Sequence, residues 1–311
     1  MVISVVGLVV GVALLAWASD QLVVGAARIA VIRRVAPVVV GVVIVGFGTS
    51  TPEFLVSASA AASGQPEIAV GNIVGSNLVN LSLILGIGVL ILPLTVGSRA
   101  VRREAPLTVA GMALFLLLVR GGLSPIEGLV LIASMVGALA IVMRRNGESD
   151  LEADVLKFAG PNHAFRVEVL RTIVGLIGTL AGAHLLLWAS IDLADRAGLS
   201  EAIIGATIVA VGTSLPELVT VIQSARRGES DLILGNLLGS NLFNALAVGG
   251  VVGLVGGTPL LDAARLTKAA AAAVALGAVV WVMMSTGHRL RRAEGAILVG
   301  VYLALIPLLV G

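Results

Sequence analysis

Ten apolar runs, separated by charged residues or by Gly and Pro, follow one another at about 2–27, 37–62, 67–92, 104–119, 125–143, 168–191, 202–224, 231–256, 268–286 and 294–310. A helix needs about 20 apolar residues to cross the hydrocarbon core, and most of the runs are close to that. The pattern predicts ten transmembrane helices with short connections. The longest polar stretch, RRNGESDLEADVLKFAGPNHAFR at 144–166, lies between the fifth and sixth runs. It predicts a first five-helix unit at 1–143, a linker at 144–167 and a second five-helix unit at 168–311. The first run contains Ala16-Trp17-Ala18, which imitates the small-residue cleavage site of a secretory leader. A basic n-region is missing, however, and LLAWAS at 14–19 returns as LLLWAS at 185–190, so the run reads as a membrane helix.

The two units repeat each other. Residues 48–80, GTSTPEFLVSASAAASGQPEIAVGNIVGSNLVN, align without gaps to 212–244, GTSLPELVTVIQSARRGESDLILGNLLGSNLFN, at a constant offset of 164. With five helices per unit, the second copy enters the membrane from the opposite side, which predicts an inverted-topology repeat with a binding site near the midplane. The positive charges orient this plan. With the N-terminus outside, inner loops hold 16 of the 20 Lys and Arg, and outer loops hold only Arg120, Arg196, Arg265 and Lys268. That positive-inside bias predicts both termini on the outer side of the cell membrane.

Composition agrees with this class and removes others. The chain is 58% hydrophobic and only 12% charged, with a mean hydropathy of +1.08. A soluble domain carries about 25% charged residues, so this one cannot coat a water-facing surface. The absence of Cys excludes thiol chemistry and Cys metal sites. A net charge of +2 spread over short loops gives no footprint for nucleic acid.

Of the 18 acidic residues, Glu53 and Glu217 stand in the middle of apolar runs and at equivalent positions of the two repeats. A carboxylate at bilayer depth costs at least about 2.5–3.5 kcal/mol on insertion scales. No Lys or Arg lies at matching depth, so the pair calls for a bound cation or a proton. Pro52 and Pro216 break their helices and free carbonyls around Gly48–Thr49 and Gly212–Thr213. Freed carbonyls beside carboxylates are hard oxygen ligands, of which Ca²⁺ takes about 6–8. Thr49, Ser50, Thr213 and Ser214 add hydroxyls. Asn72, Ser76 and Asn80 share one helix face at i, i+4, i+8, and Asn236, Ser240 and Asn244 repeat them. Gly71 with Gly75, and Gly235 with Gly239, form small-xxx-small pairs that allow close helix approach. Each feature alone has an ordinary structural explanation; their duplication at one spacing points to an ion site.

These two strings, GTSTPE…GNIVGSN and GTSLPE…GNLLGSN, are similar to the α-repeats of the sodium/calcium exchanger branch of the calcium/cation antiporter superfamily. The resemblance covers about 33 residues in each half, together with the ten-helix plan. It implies an all-α polytopic fold that exchanges several Na⁺ for one Ca²⁺ by alternating access, the ions being cargo and no cofactor being involved. By that resemblance Glu53 and Glu217 bind Ca²⁺ and also Na⁺, helped by backbone oxygens of Thr49 and Thr213. Ser50, Ser76, Ser214 and Ser240 serve Na⁺ sites completed by carbonyls of Gly46 and Ala210, and Asn80 and Asn244 line the centre. Potassium-dependent relatives carry Asp at the position of Asn244, which argues against K⁺ co-transport. Proton/calcium exchangers carry G-N-A-x-E in place of G-T-S-x-P-E. The 144–166 stretch is too short for the calcium-sensing domains of animal exchangers.

Two alternatives stay open at this level. A pair of Glu can alternate between protons and Ca²⁺, as in an H⁺/Ca²⁺ antiporter; a passive cation channel or a membrane scaffold is a different class. A monomer suffices, since both repeats come from one chain, and lipid is the remaining partner. Trp17 and Trp188 read as interfacial anchors, His184 as a packed or interfacial side chain, and His163 and His288 as loop residues.

Overall fold

The computed structural model of the chain describes residues 2–32, 49–98, 100–143, 164–198, 200–228, 230–256 and 259–310. Helix α1 (Val2–Ile32) is followed by α2 (Thr51–Ala62) and α3 (Pro66–Ile91). Next come α4 (100–118), α5 (Pro125–Met143) and the long α6 (Phe165–Ala197). Helices α7 (201–213) and α8 (Leu215–Arg227) form one broken element, followed by α9 (230–256), α10 (Ala263–Ser285) and α11 (Arg292–Val310). Among the described residues seven helices are long and apolar enough to cross a membrane, or eight if the bent α7–α8 pair is one span. The run expected at 37–62 is helical over its second part, and residues 33–48 lie outside the described residues. The linker expected at 144–167 likewise lies outside them up to residue 163.

Helix ends differ from the apolar runs where charges are paired. The first run was expected to stop at 27 and the sixth to begin at 168, yet α1 continues to Ile32 and α6 begins at Phe165. Arg28 and Arg171 each lie 3.2 Å from a carboxylate oxygen of Glu168, which is wholly buried, and Arg171 also donates to Gln21 at 2.9 Å. Charge that is paired in this way can extend a helix beyond its hydropathy signal.

Helices α1 and α6 pack antiparallel over most of their length, in the most extensive helix contact of the fold. Glycines allow the backbones to touch: a Cβ at Gly11 would lie 2.8 Å from the Leu186 nitrogen, and one at Gly182 2.8 Å from that of Leu15. The far end is tied by a hydrogen bond from Ser4 to Asp192. Trp17 and Trp188 are exposed on this pair, as is His184.

Helices α3 and α9 form the centre. Their most apolar stretches are 83% and 72% buried, against 22–39% for the other unbroken spans. Each is entered by the same turn, with φ of +77° at both Gly64 and Gly228, a left-handed conformation that glycine adopts without steric cost. Each also contains a π turn, at Asn80–Ile84 in α3 and Asn244–Val248 in α9. Two further π turns lie at Ala100–Glu104 and Gly205–Val209. A short antiparallel pair, β1 (Leu94–Thr95) with β2 (Arg289–Leu290), joins the segment after α3 to the segment before α11. His288, expected as an idle loop residue, takes φ of 51° beside β2, and its ring nitrogen Nδ1 lies 3.3 Å from the Val96 carbonyl.

Candidate functional site: a buried carboxylate pair between two helix breaks

Pro216 has no N–H to offer the carbonyl of Gly212, and the helix yields there: α7 and α8 meet at 46°. The residue at the break, Ser214, has φ −84° and ψ 9°. Its equivalent, Ser50, precedes α2 with φ −86° and ψ 10°, so the two serines share one backbone conformation. Glu53 and Glu217, which look mid-helix in sequence, therefore sit in the first turns of α2 and α8. There the positive end of the helix dipole and its unpaired N–H groups favour a negative charge.

Both carboxylates are wholly buried, and each is held from the opposite half. Ser214 Oγ donates to Glu53 Oε1 at 3.0 Å, and Ser50 Oγ donates to Glu217 Oε1 at 3.1 Å. Ser240 adds a longer bond to the same Glu217 oxygen at 3.4 Å. Around them the threonines reach across as well. Thr213 Oγ1 donates to Asn72 Oδ1 at 3.0 Å and Thr49 Oγ1 to Asn236 Oδ1 at 3.2 Å. Thr213 and Ser76 hydroxyls lie 3.5 Å apart, and Thr49 and Ser240 hydroxyls 3.4 Å apart. The Ala210 carbonyl lies 3.2 Å from Thr213 Oγ1 and 3.5 Å from Ser76 Oγ, an alternative acceptor for the single proton of each hydroxyl.

The structure thus links Glu53 with Ser214, links Glu217 with Ser50, Ser240 and through it Thr49, and groups Thr213 with Ser76 and Ala210. Gly46 lies outside the described residues. Asn80 and Asn244 are wholly buried and begin the two π turns. Asn80 Nδ2 donates to Asn241 Oδ1 at 3.0 Å, whereas both amide atoms of Asn244 have no partner among the described residues. Asn77 and Asn241, not among the sequence candidates, are buried as well; their signal was the duplicated GSNxxN string. Gly75 does permit close approach, facing the backbone of Ala206 and the Cβ of Ala210 on α7. Gly239 has no described atom within 4 Å of its Cβ position, and the residues equivalent to 206 and 210 are 42 and 46, outside the described set.

One oxygen of each carboxylate remains open. Glu53 Oε2 and Glu217 Oε2 are buried with no hydrogen-bond partner among the described residues. Other buried carboxylates show the contrast: Glu168 pairs with two arginines, and Glu67 accepts the backbone N–H of Leu261. Among the described residues no group of three or more His, Cys, Asp or Glu gathers as a metal cluster. The donor set here is two carboxylates with hydroxyl, carbonyl and amide oxygens, the hard set that Ca²⁺ takes.

Fold and site define a multi-pass helical membrane protein with a buried polar centre contributed by two strings that repeat in sequence. The family model described as sodium/calcium exchanger protein matches residues 3–144 and 167–311, and the chain belongs to this family of exchangers. It is 34% identical over 312 residues to CaxA of Alkalimonas amylolytica, covering 97% of each chain. It is 27% identical over 341 residues to the sodium/calcium exchanger MaX1 of Methanosarcina acetivorans, again with 97% of each chain covered. Among solved structures it resembles the sodium-calcium exchanger NCX_Mj, with a TM-score of 0.67, 28% identity and coverage of 99% of this chain and 98% of that one.

Proposed function

We propose that the chain exchanges Na⁺ for Ca²⁺ across the cell membrane by alternating access, with Glu53 and Glu217 as the shared cation ligands. The carrying observation is the pair of open, buried oxygens, Glu53 Oε2 and Glu217 Oε2, each opposite an oxygen already held by a serine of the other half. Two carboxylates in a low-dielectric site leave a charge of −2 that one Ca²⁺ balances. Sodium ions, drawing on the hydroxyls of Ser50, Ser76, Ser214 and Ser240 and the carbonyls of Gly46 and Ala210, can balance the same charge but not at the same time. Competition for one charge pair is what couples the two fluxes. Backbone oxygens of Thr49 and Thr213 complete the Ca²⁺ shell, and Asn80 and Asn244 line the centre. The names of MaX1 and NCX_Mj, both sodium/calcium exchangers, support this choice of ions.

The accompanying architecture is ten spanning helices in two inverted units, 1–143 and 168–311, joined by an inner linker with both termini outside. A monomer in lipid is then sufficient, and no resident cofactor is required. Uptake of radiolabelled Ca²⁺ into proteoliposomes, driven by a Na⁺ gradient with and without a pH gradient, tests the reading. Uptake that follows the pH gradient and ignores Na⁺ makes the protein an H⁺/Ca²⁺ antiporter instead. Ca²⁺ flux with no counter-ion makes it a channel.

A further inference from the structure

The hydroxyl of Ser57 has no counterpart in the second repeat, and it governs one flank of the site. Ser57 on α2 is wholly buried, and its Oγ donates to the Ala69 carbonyl on α3 at 3.3 Å. With its proton directed there, the Ser57 oxygen is an acceptor, and Asn72 Nδ2 donates to it at 2.9 Å. The orientation of the Asn72 amide follows from this. Nδ2 faces Ser57 and the Glu53 carbonyl, the latter at 3.4 Å, and Oδ1 must face the hydroxyls of Thr213 at 3.0 Å and Ser76 at 3.5 Å. A hydroxyl that donates to an amide oxygen keeps its lone pairs for another ligand.

In the other half Thr49 Oγ1 meets Asn236 Oδ1 at 3.2 Å, but Val221 stands at the position equivalent to Ser57. Asn236 Nδ2 is buried with no partner among the described residues. Turning this amide over forfeits no bond from Nδ2, and it then donates to the Thr49 hydroxyl and occupies the lone pair that a cation needs.

We propose that Ser57 is a positioning residue that locks Asn72, so that the Thr213–Ser76 flank binds Na⁺ more tightly than the Thr49–Ser240 flank. The inference rests on the antiport reading above and deepens it: the two halves are unequal for Na⁺ although nearly equal around the carboxylates.

The test is efflux of radiolabelled Ca²⁺ from proteoliposomes against external Na⁺ and, separately, against external Ca²⁺, for the unsubstituted protein, Ser57→Ala, Ser57→Thr and Val221→Thr. Losing one hydrogen bond from the lock should raise the half-saturating Na⁺ of Ser57→Ala about fivefold while Ca²⁺/Ca²⁺ exchange stays within about twofold. Ser57→Thr retains the hydroxyl and should restore the Na⁺ dependence. Val221→Thr keeps the side-chain shape and puts a hydroxyl at the position equivalent to Ser57, where it should accept from Asn236 Nδ2, so half-saturating Na⁺ should fall about two- to fivefold. Unchanged Na⁺ dependence in Ser57→Ala, equal losses in both modes, or failure of Ser57→Thr to restore overturns the proposal. If Ser57→Ala does not fold, Val221→Thr decides, and an unchanged Na⁺ dependence there overturns it. No Na⁺-driven efflux from the unsubstituted protein overturns the antiport reading and this inference together; Na⁺-driven efflux indifferent to both positions overturns this inference alone.

Discussion

Around the carboxylates the two halves of the site mirror each other except for the added bond from Ser240 to Glu217. Ser214 holds Glu53 at 3.0 Å and Ser50 holds Glu217 at 3.1 Å; Thr213 holds Asn72 and Thr49 holds Asn236. One helix turn further from the carboxylates the mirror fails. Asn72 is anchored by Ser57 while Asn236 Nδ2 is unanchored, and Asn80 bonds Asn241 while Asn77 Oδ1 and Asn244 Nδ2 stay without partners among the described residues. The difference separates two demands on one duplicated string. On the proposed antiport, groups that meet the cation would serve it from both sides of the barrier and keep their equivalence, whereas the groups behind them would be free to diverge.

The most severe way to break this symmetry is to remove one charge. Glu53→Gln and Glu217→Gln should each lower Ca²⁺ exchange at least about 100-fold, because each leaves one negative charge to face a divalent ion where screening is weakest. The protein should still insert and fold, since neutralising a buried carboxylate lowers its insertion cost. Near-normal exchange by either variant in a radiolabelled Ca²⁺ assay removes that Glu from the ligand set.

Ser50→Ala and Ser214→Ala delete the reciprocal bonds and test their equality. Hydrogen bonds to charged groups are the stronger class, so each change should weaken Ca²⁺ affinity by about tenfold, and by the same factor in both variants. Isothermal titration of the two proteins gives the comparison; a silent Ser50→Ala beside a severe Ser214→Ala denies the reciprocity any role in binding.

The smallest expected effects belong to Ser76→Ala and Ser240→Ala, which remove neutral oxygens only. Half-saturating Na⁺ should rise about three- to tenfold while Ca²⁺/Ca²⁺ exchange is largely spared. Ser240→Ala should show the greater spill-over into Ca²⁺ exchange, because Ser240 also donates to Glu217 at 3.4 Å. Equal loss of both modes in both variants contradicts a division of labour between hydroxyls and carboxylates.

Glu53 and Glu217 were legible because a buried charge is expensive and the expense occurs twice at one spacing. The break at Ser214 was legible too, since proline removes a donor whatever surrounds it. Their combined result was less so: each Glu stands in a first helical turn, where the helix dipole favours a negative charge. The π turns at Asn80 and Asn244 left no trace in hydropathy, because one extra residue in a turn changes neither composition nor length enough to register. Ser57 escaped for the opposite reason. Comparing the repeats highlights what they share, and at this position they do not match. Glu168 was hidden among acidic residues at helix ends; only the packing of α1 on α6 places Arg28 beside it.

That same packing has a mechanical consequence. Helices α1 and α6 touch backbone to backbone at Gly11 and Gly182 and are fastened near both ends, by Ser4 with Asp192 and by Arg28 with Glu168. Two rods bonded along their length resist flexing far more than the same rods lying loose, because neither can slip past the other as they bend. A push delivered at one membrane face therefore arrives at the other as a shift of the whole double beam. For a hydrophobic slab about 30 Å thick, that stiffness lets an event on one surface be felt on the opposite one without a continuous chain of polar contacts between them.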